Sequence, residues 1–290
     1  MEYHQDRFID CSVMIFKDET LVAVFPANRD GDKVFSHQGL TYGSLVLSKD
    51  VKFKHVVGCF KTLLMHFESE GVKDIYVKLV PEIYNAYPSN EAEFLMYKLE
   101  AELYRKDIIS AIDLASPRLK LSKDRRDGIK RGIKNSLIVR EVDTFDEFWN
   151  NILVPNLNQK HNVQPVHSLE EITLLKQRFP KNIRQFNVYK DDTIVAGTTV
   201  FETELVAHSQ YISANQDKNN LGSLDFLHDY IINSVFKEKR YFDFGTSHER
   251  DGTINEGLMY WKEGFGARSY TQDFYRLETS KHHKLNTVFT

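Results

Sequence analysis

Three side chains that could serve acid–base chemistry lie in two predicted strands of the C-terminal half. His208 lies within the strand predicted for residues 205–213, and its unperturbed pKa of about 6.5 suits a general base. Tyr211, in the same strand, could donate a proton to a leaving group. Asp243 lies between two phenylalanines, and a buried carboxylate is costly unless it is paired, so it could hold an acceptor amine. Each also has a structural explanation: a half-buried strand histidine, a packed tyrosine, and an aspartate that ties down the next loop.

A polar loop follows the strand predicted for residues 240–244. It begins with Ser247, His248 and Glu249. Ligands of open α/β sheets bind beyond the carboxyl ends of the strands, so these three residues are candidates for contacting a substrate. A solvated loop explains them equally well. Asn255, at the start of the next predicted helix, is explained by helix capping.

The elements that position these residues occur twice in the chain. Residues 17–24 read KDETLVAV and residues 190–197 read KDDTIVAG, each at the turn of a predicted β-hairpin. The hairpin strands are 12–16 with 21–27, and 183–189 with 193–201. Each half then continues in the order β-α-β-α-β, the first half with a helix over 91–104 and a strand over 108–114. We therefore predict an α/β fold with mixed sheets, duplicated into domains at residues 1–120 and 121–290.

The composition restricts the class of protein. The 290 residues carry a formal net charge of −3, which disfavours a globally basic nucleic-acid binder. The cysteines, Cys11 and Cys59, have no metal-ligand spacing, so no metal site is expected. No apolar run approaches the roughly 20 residues that span a bilayer, and the N-terminus lacks a signal-peptide core. The expectation is a reduced, cytoplasmic protein without a transmembrane segment.

Three stretches carry a resemblance to a known family. They are LVAVFPANRDGDKVFSHQGLTYGSLVL (21–47), SKDRRDGIKRGIKNSLIVREV (122–142) and the ending FDFGTS…LMYWKEGFGA (242–267). Together they resemble the FemAB-like tandem GNAT-fold acyltransferases over most of the chain. Ser44 stands where that family often has glycine. The resemblance implies two GNAT-like domains with a cleft between them, and transfer of an acyl group to an amine.

The resemblance also implies where an acyl donor, acetyl-CoA or another acyl-CoA, would bind. Strands 205–213 and 240–244 would splay apart, and backbone N–H groups near Ile212 would face the thioester oxygen. The start of helix 223–237 would receive the pyrophosphate through free N–H groups and the helix dipole. Its loop lacks the middle glycine of the GNAT phosphate loop, so an ordinary glycine–serine helix start is the alternative. The expected donor-binding residues are Ile212, Ala214, Gln216, Lys218, Gly222, Ser223 and Lys262.

The acceptor is expected to meet residues of both halves. His37 and Tyr42 lie in the family-like segment of the first half and would join Ser247, His248 and Glu249 at the acceptor. The alternative for His37 and Tyr42 is a structural loop. Because the first half shows no phosphate loop, we predict that it has lost any donor site.

A basic helix predicted for residues 122–135 joins the two halves. Its charged stripe would suit a tRNA or a nucleotide sugar, although a charge run is more often a solvated face. Three functions therefore stay open. They are an acyl-CoA-dependent N-acyltransferase acting on a small amine such as an amino sugar or cell-envelope precursor, an aminoacyl-tRNA-dependent transferase acting on a peptidoglycan precursor, and a non-catalytic binding protein.

Overall fold

A computed structural model describes residues 6–161, 163–249 and 251–289. The strands, numbered in chain order, are β1 Ile9–Asp10, β2 Val13–Lys17, β3 Thr20–Phe25, β4 Asn28–Asp30, β5 Lys33–Phe35, β6 Val46–Leu47, β7 Asp74–Lys78, β8 Glu102–Asp113, β9 Ile138–Val142, β10 Ile183–Lys190, β11 Thr193–Glu202, β12 Val206–Ala214, β13 Tyr241–Thr246 and β14 Arg268–Glu278. The α-helices are α1 Phe53–Ser69, α2 Glu91–Lys98, α3 Lys123–Lys134, α4 Asp146–Phe148, α5 Val154–His161, α6 Leu169–Arg178, α7 Lys218–Leu221, α8 Ser223–Tyr230 and α9 Glu256–Glu263. The segments Trp149–Leu153 and Ile231–Val235 are π-helical, and Glu82–Tyr84 and Thr279–Thr287 are 3-10 helical. The predicted mixed α/β class is confirmed.

The chain forms two compact units. The first contains the described residues up to Asp107 and from Thr271 onward, and the second contains Ile108–Tyr270. The unit boundaries therefore fall inside β8 and β14, whereas the sequence placed the domain boundary after residue 120.

The first unit has two sheets. One has the strand order β1-β4-β5-β7-β14, and the other has the order β2-β3-β6. Helix α1 buries Val56, Phe60, Leu64 and Phe67 in the unit's core, and their spacing of three and four residues places them on one helix face. The short strands β4 and β5, between the first hairpin and the family-like segment, were not predicted.

The second unit has one sheet in the order β8-β13-β12-β11-β10-β9. Both predicted hairpins are confirmed, β2 with β3 in the first unit and β10 with β11 in the second. The core of the second unit lies between this sheet and α8, and it contains Phe186, Leu227, Phe242 and Phe265.

The last strand of each half completes the sheet of the other unit. Strand β8, from the first half, pairs antiparallel with β13, and β14, from the second half, pairs antiparallel with β7. This exchange explains the difference from the predicted boundary at residue 120, because sequence order alone assigns each last strand to its own half.

The predicted helix over 91–104 is shorter in the structure. Helix α2 ends at Lys98, and Glu100 then adopts a left-handed backbone with φ of 50°. The N–H of Ala101 donates to the carbonyl of Met96, which closes the helix end, and β8 starts at Glu102. The last residues that were predicted to be helical therefore belong to β8 in the structure.

Candidate functional site

A cavity of about 740 Å³ opens in the second unit where two parallel strands separate. Strands β12 and β13 pair only from Val206 with Tyr241 to His208 with Asp243. Beyond that point β12 continues to Ala214 without a partner on the β13 side, so the two strands diverge, as the resemblance implied. The cavity lies between their ends and is also lined by α3, α7, α8 and α9.

A β-bulge marks the start of the divergence. Thr199 pairs with Tyr211 and Val200 pairs with Ser209, so Gln210 has no partner in the β11–β12 ladder. Bulges redirect side chains and are frequent beside active sites. Here the bulge brings both Ser209 and Gln210 to the wall of the cavity.

His208 and Asp243 form a buried pair at the fork of the two strands. The Nδ1 of His208 lies 2.8 Å from Oδ2 of Asp243, and the side chains are 9% and 1% exposed. The other carboxylate oxygen of Asp243 accepts from the N–H of Gly245 at 2.7 Å. The Nε2 of His208 lies 3.2 Å from Oε1 of Gln210, which connects the pair to the cavity wall. A buried carboxylate needs a partner, and Asp243 has both a ring nitrogen and a backbone donor.

Gly245 leaves room for this pair. Its φ is 70°, and an added Cβ would lie 3.1 Å from Cε1 of His208. A larger residue here would have to adopt an unfavourable backbone and press on the imidazole ring. The turn after Asp243 is therefore shaped to hold the ring against the carboxylate.

Tyr211, the third predicted catalytic residue, lies among other aromatic groups. Its hydroxyl accepts from the N–H of His167 at 3.1 Å and lies 2.7 Å from Nδ1 of the same histidine. The ring of Trp149 packs edge-on at 5.1 Å. The sequence did not point to His167, because it lies in a segment that reads as a polar insertion.

Four of the predicted donor-binding residues line the cavity, and three do not. Ile212, Ala214, Lys218 and Lys262 line it. The residues that do not line it are Gln216, Gly222 and Ser223.

The expected phosphate loop is largely replaced by the short helix α7. Gly222 follows that helix with φ of 69°, and an added Cβ would overlap the carbonyl oxygen of Gly128 in α3. Gly222 therefore serves close helix packing in this structure. Ser223 is fully buried, and Gln216 approaches Gln159 at 3.5 Å.

Lys262 is a buried lysine at the wall of the cavity. Its Nζ donates to the carbonyl oxygens of Gly245 and Thr246 at 2.9 and 2.6 Å. Burial lowers the pKa of Lys262 to about 8, and the nearby charge of Asp243 acts in the opposite direction. These contacts use two of the three ammonium donors and secure the end of β13.

Two arginines of the basic helix α3 also line the cavity, and the sequence did not single them out for this role. Arg125 forms a salt bridge with Asp225, whose carboxylate also accepts from the indole N–H of Trp261 at 2.8 Å. Burial raises the pKa of Asp225, and the charges of Arg125 and Arg131 partly offset this effect. The charged residues of α3 are thus only partly directed to solvent.

Small residues set the orientation of α3. Added Cβ atoms on Gly128 and Gly132 would overlap the side chains of Asp225 and Phe226 in α8. Two glycines four residues apart lie on one helix face, so this spacing was a sequence signal for close packing. It turns the side of α3 that carries Arg125 and Arg131 to the cavity.

The acceptor candidates of the first half lie in the first unit. His37 is buried, has φ of 47°, and lines a cavity of about 330 Å³ together with Lys78 and Arg105. The hydroxyl of Tyr42 is hydrogen-bonded to that of Tyr84. Burial lowers the pKa of Lys78 to about 8, and the like charge of Arg105 adds to the effect.

Several polar groups of the loop after β13 form hydrogen bonds within the second unit. The Nε2 of His248 accepts from the N–H of Ile108 at 3.0 Å, and Oε1 of Glu249 accepts from the side-chain amide of Asn255 at 2.6 Å. The carbonyl of Ser247 accepts from the N–H of Asn255, and its buried Oγ has no partner among the described residues. Asn255 caps α9 by accepting from the N–H of Leu258, so the predicted capping role is confirmed.

No helix within the described parts of the chain is long and apolar enough to cross a membrane.

Comparison with known proteins identifies the fold but no sequence family. The sequence matches no family model, and no curated protein is significantly similar to it. FemX superimposes with a TM-score of 0.67 at 8% identity, covering 94% of this chain and 89% of that chain. L-PGS from Bacillus licheniformis gives 0.56 at 12%, covering 88% and 80%. A tandem GNAT protein from the clavulanic acid biosynthesis pathway gives 0.53 at 11%, covering 96% and 86%. The chain therefore has the mixed α/β fold of GNAT-like and FemX-like proteins.

Proposed function

We propose that the chain is an acyltransferase that moves an acyl group from an acyl-CoA to the amine of a small acceptor. The observation that carries this proposal is the position of the His208–Asp243 pair. It lies at the fork where β12 and β13 separate, beside a cavity large enough for a small-molecule donor.

The reaction requires a general base, a hydrogen-bond donor for the oxyanion, and a site that binds the phosphates of the acyl donor. The amine nitrogen of the acceptor attacks the thioester carbonyl, and the carbon–sulfur bond breaks to release the thiolate. His208 takes the proton that the ammonium loses, while Asp243 holds Nδ1 and so directs Nε2 toward the reactants. For Nε2 to accept this proton, the side chain of Gln210 has to turn its carbonyl oxygen away. Tyr211 remains a candidate for protonating the thiolate.

The donor would be held by cations around the cavity. Arg131 and Lys218 approach from α3 and α7, and the third ammonium donor of Lys262 can reach a bound anion. Backbone N–H groups between Ile212 and Ala214 are candidates for the oxyanion contact. Gly222 and Ser223 would then act by shaping the helices behind this site.

A second donor is favoured by one specific observation. Helix α7 stands where the GNAT phosphate loop is expected, so the charge beside the cavity comes from side chains of α3 and α7. The FemAB-like resemblance implies an aminoacyl-tRNA donor, whose phosphates such cations would also attract. The acceptor in that case would be a peptidoglycan precursor.

The acceptor would be an amine, such as an amino sugar or a cell-envelope precursor. His37 and Tyr42 in the first unit, and Ser247, His248 and Glu249 in the second, stay the candidates for binding it. His37 lines a cavity with Lys78 and Arg105, cations that suit an anionic group of such an acceptor and not its amine. The repeated element order supports a tandem duplication of the two halves.

Calorimetric titration with CoA, acetyl-CoA and longer acyl-CoAs tests the donor. Micromolar binding of one of these compounds in the absence of any acceptor supports acyl-CoA as the donor. Binding of aminoacyl-tRNA with no binding of any CoA selects the second donor. If either donor binds but no amine in a broad panel is acylated, the chain is a non-catalytic binding protein.

A further inference from the structure

A cavity of about 320 Å³ in the first unit lies among elements that correspond, in chain order, to those around the proposed donor cavity of the second unit. In element order, β6 and β7 of the first half correspond to β12 and β13, and α1 and α2 correspond to α8 and α9. The cavity is lined by the segment around β6, by Phe60 of α1, by Leu79 after β7, and by the start of α2. Strands β6 and β7 belong to different sheets, so the separation that is partial in the second unit is complete here.

The two cavities carry opposite charge. The cavity of the second unit is lined by four cationic side chains and one aspartate. In the first unit, the charged lining residues are Glu91, Glu93 and Lys49. Lys49 is exposed, whereas Glu93 is only partly exposed. A donor with several phosphates is therefore disfavoured in the first unit, in agreement with the absence of a phosphate loop before α1.

The carboxylate of Glu93 lies near other carboxylates. Its Oε2 is buried and has no hydrogen-bond partner among the described residues. Burial raises the pKa of Glu93, and the like charges of Asp273, Glu82 and Glu91 add to this effect. A partly buried carboxylate without a nearby cation is costly, so the charge of an ammonium group bound beside it would stabilise it.

The rest of the lining suits the same kind of ligand. The rings of Tyr84 and Tyr87 line the cavity, and aromatic faces attract cations. Leu45 and Phe60 add apolar surface, and the hydroxyl of Ser89 is occupied by its hydrogen bond to Glu91. The volume lies at the lower end of the range for small-molecule pockets, about 300 to 1,000 Å³.

We propose that this cavity is a second ligand site, which binds a small aliphatic amine in its protonated form through Glu93. It is separate from the proposed donor site and does not depend on the donor's identity. The ammonium group lies against the carboxylate of Glu93, Glu91 supplies a second negative charge, and the carbon chain packs on Leu45 and Phe60.

Calorimetric titration of the full chain with putrescine tests the proposal, with 1,4-butanediol and succinate as the neutral and anionic analogues. We expect putrescine to bind and neither analogue to bind. Glu93→Gln should weaken putrescine binding about tenfold or more, because it removes a negative charge from the cavity lining and keeps the shape. Glu70→Gln, an exposed carboxylate of the same unit, is the matched control and should leave the affinity unchanged.

Two outcomes would overturn the proposal. One is binding of succinate in place of putrescine, and the other is equal putrescine affinity in the wild type and Glu93→Gln. Thermal unfolding of Glu93→Gln shows whether it folds, and Tyr87→Ala, which removes an exposed ring, gives a second test through weaker binding. Acetyl-CoA affinity should not change in Glu93→Gln, so failure here and failure of the proposed donor site are distinguishable.

Discussion

The Nδ1 of His208 lies 2.8 Å from Oδ2 of Asp243, and these two residues form the last registered pair between β12 and β13. The sheet itself therefore brings the imidazole and the carboxylate together. Both residues are buried and lie within paired strands, so the backbone pairing fixes their relative position.

The Asp243→Asn variant should lose catalysis while it keeps its donor. The amide cannot stabilise a protonated His208 as the carboxylate does, so we expect kcat to fall about 100-fold or more. Acetyl-CoA affinity should stay at the wild-type value. Steady-state kinetics and calorimetry measure the two quantities separately. Asp229→Asn is the matched control, because its carboxylate is half-buried in α8 and bonded to Asn233; if Asp243→Asn keeps full activity, the pair is structural.

Replacing Arg131 by alanine should weaken acetyl-CoA binding. The guanidinium is exposed at the wall of the cavity, so we expect an effect of about 1 kcal/mol, or about fivefold in Kd. The difference should shrink at high salt, because exposed charges are screened. Lys130→Ala removes the same charge from the neighbouring position of α3, which does not line the cavity. Equal effects of the two variants would show that Arg131 acts only through net charge.

The Gly222→Ala variant should be destabilised. The position has φ of 69°, and the added Cβ would overlap the carbonyl oxygen of Gly128. We expect a loss of about 2 kcal/mol or more, seen as a lower Tm in scanning calorimetry. Gly58→Ala is the control, because it lies inside α1 with open space around it and should be neutral or stabilising by about 0.5 kcal/mol. An unchanged Tm in Gly222→Ala would mean that the helices can separate to accept the methyl group.

The burial of Lys262 should make stability depend on pH. Its pKa is lowered from 10.5 to about 8, so between these values the unfolded chain binds more protons than the folded chain. The free energy of unfolding should therefore rise with pH through this window, by at most about 3 kcal/mol relative to Lys262→Met. Denaturant unfolding of both proteins on each side of the window measures the difference. Lys237→Met, at an exposed position, should give a curve parallel to the wild type; a parallel curve for Lys262→Met would contradict the prediction.

Local patterns in the sequence were sufficient for much of the secondary structure. The spacing of Val56, Phe60 and Leu64 indicated the buried face of α1, and the Asp-rich turns indicated both hairpins. Asn255 was identified as a cap because a short polar side chain satisfies free N–H groups within one turn. These signals act over a few residues, so they can be recognised from the sequence alone.

The candidate site was predictable only in part. His208 and Asp243 could be chosen by residue type and strand position, but their direct contact could not, because they lie 35 residues apart in the chain. Arg131 was visible only as one charge in a basic helix. Its place at the cavity depends on the close packing of α3 against α8, which two glycines permit.

By itself, then, the sequence determined most of the helices and strands, because hydrophobic periodicity, turns and caps are local. The tertiary structure alone decided that β8 and β14 each complete the other unit's sheet. It also decided that β12 and β13 pair over three residues before they diverge, and that the side chain of Lys262, in α9, is buried against the end of β13. These features depend on which distant surfaces pack together, and burial energy depends on the whole fold and not on the order of residues within one segment.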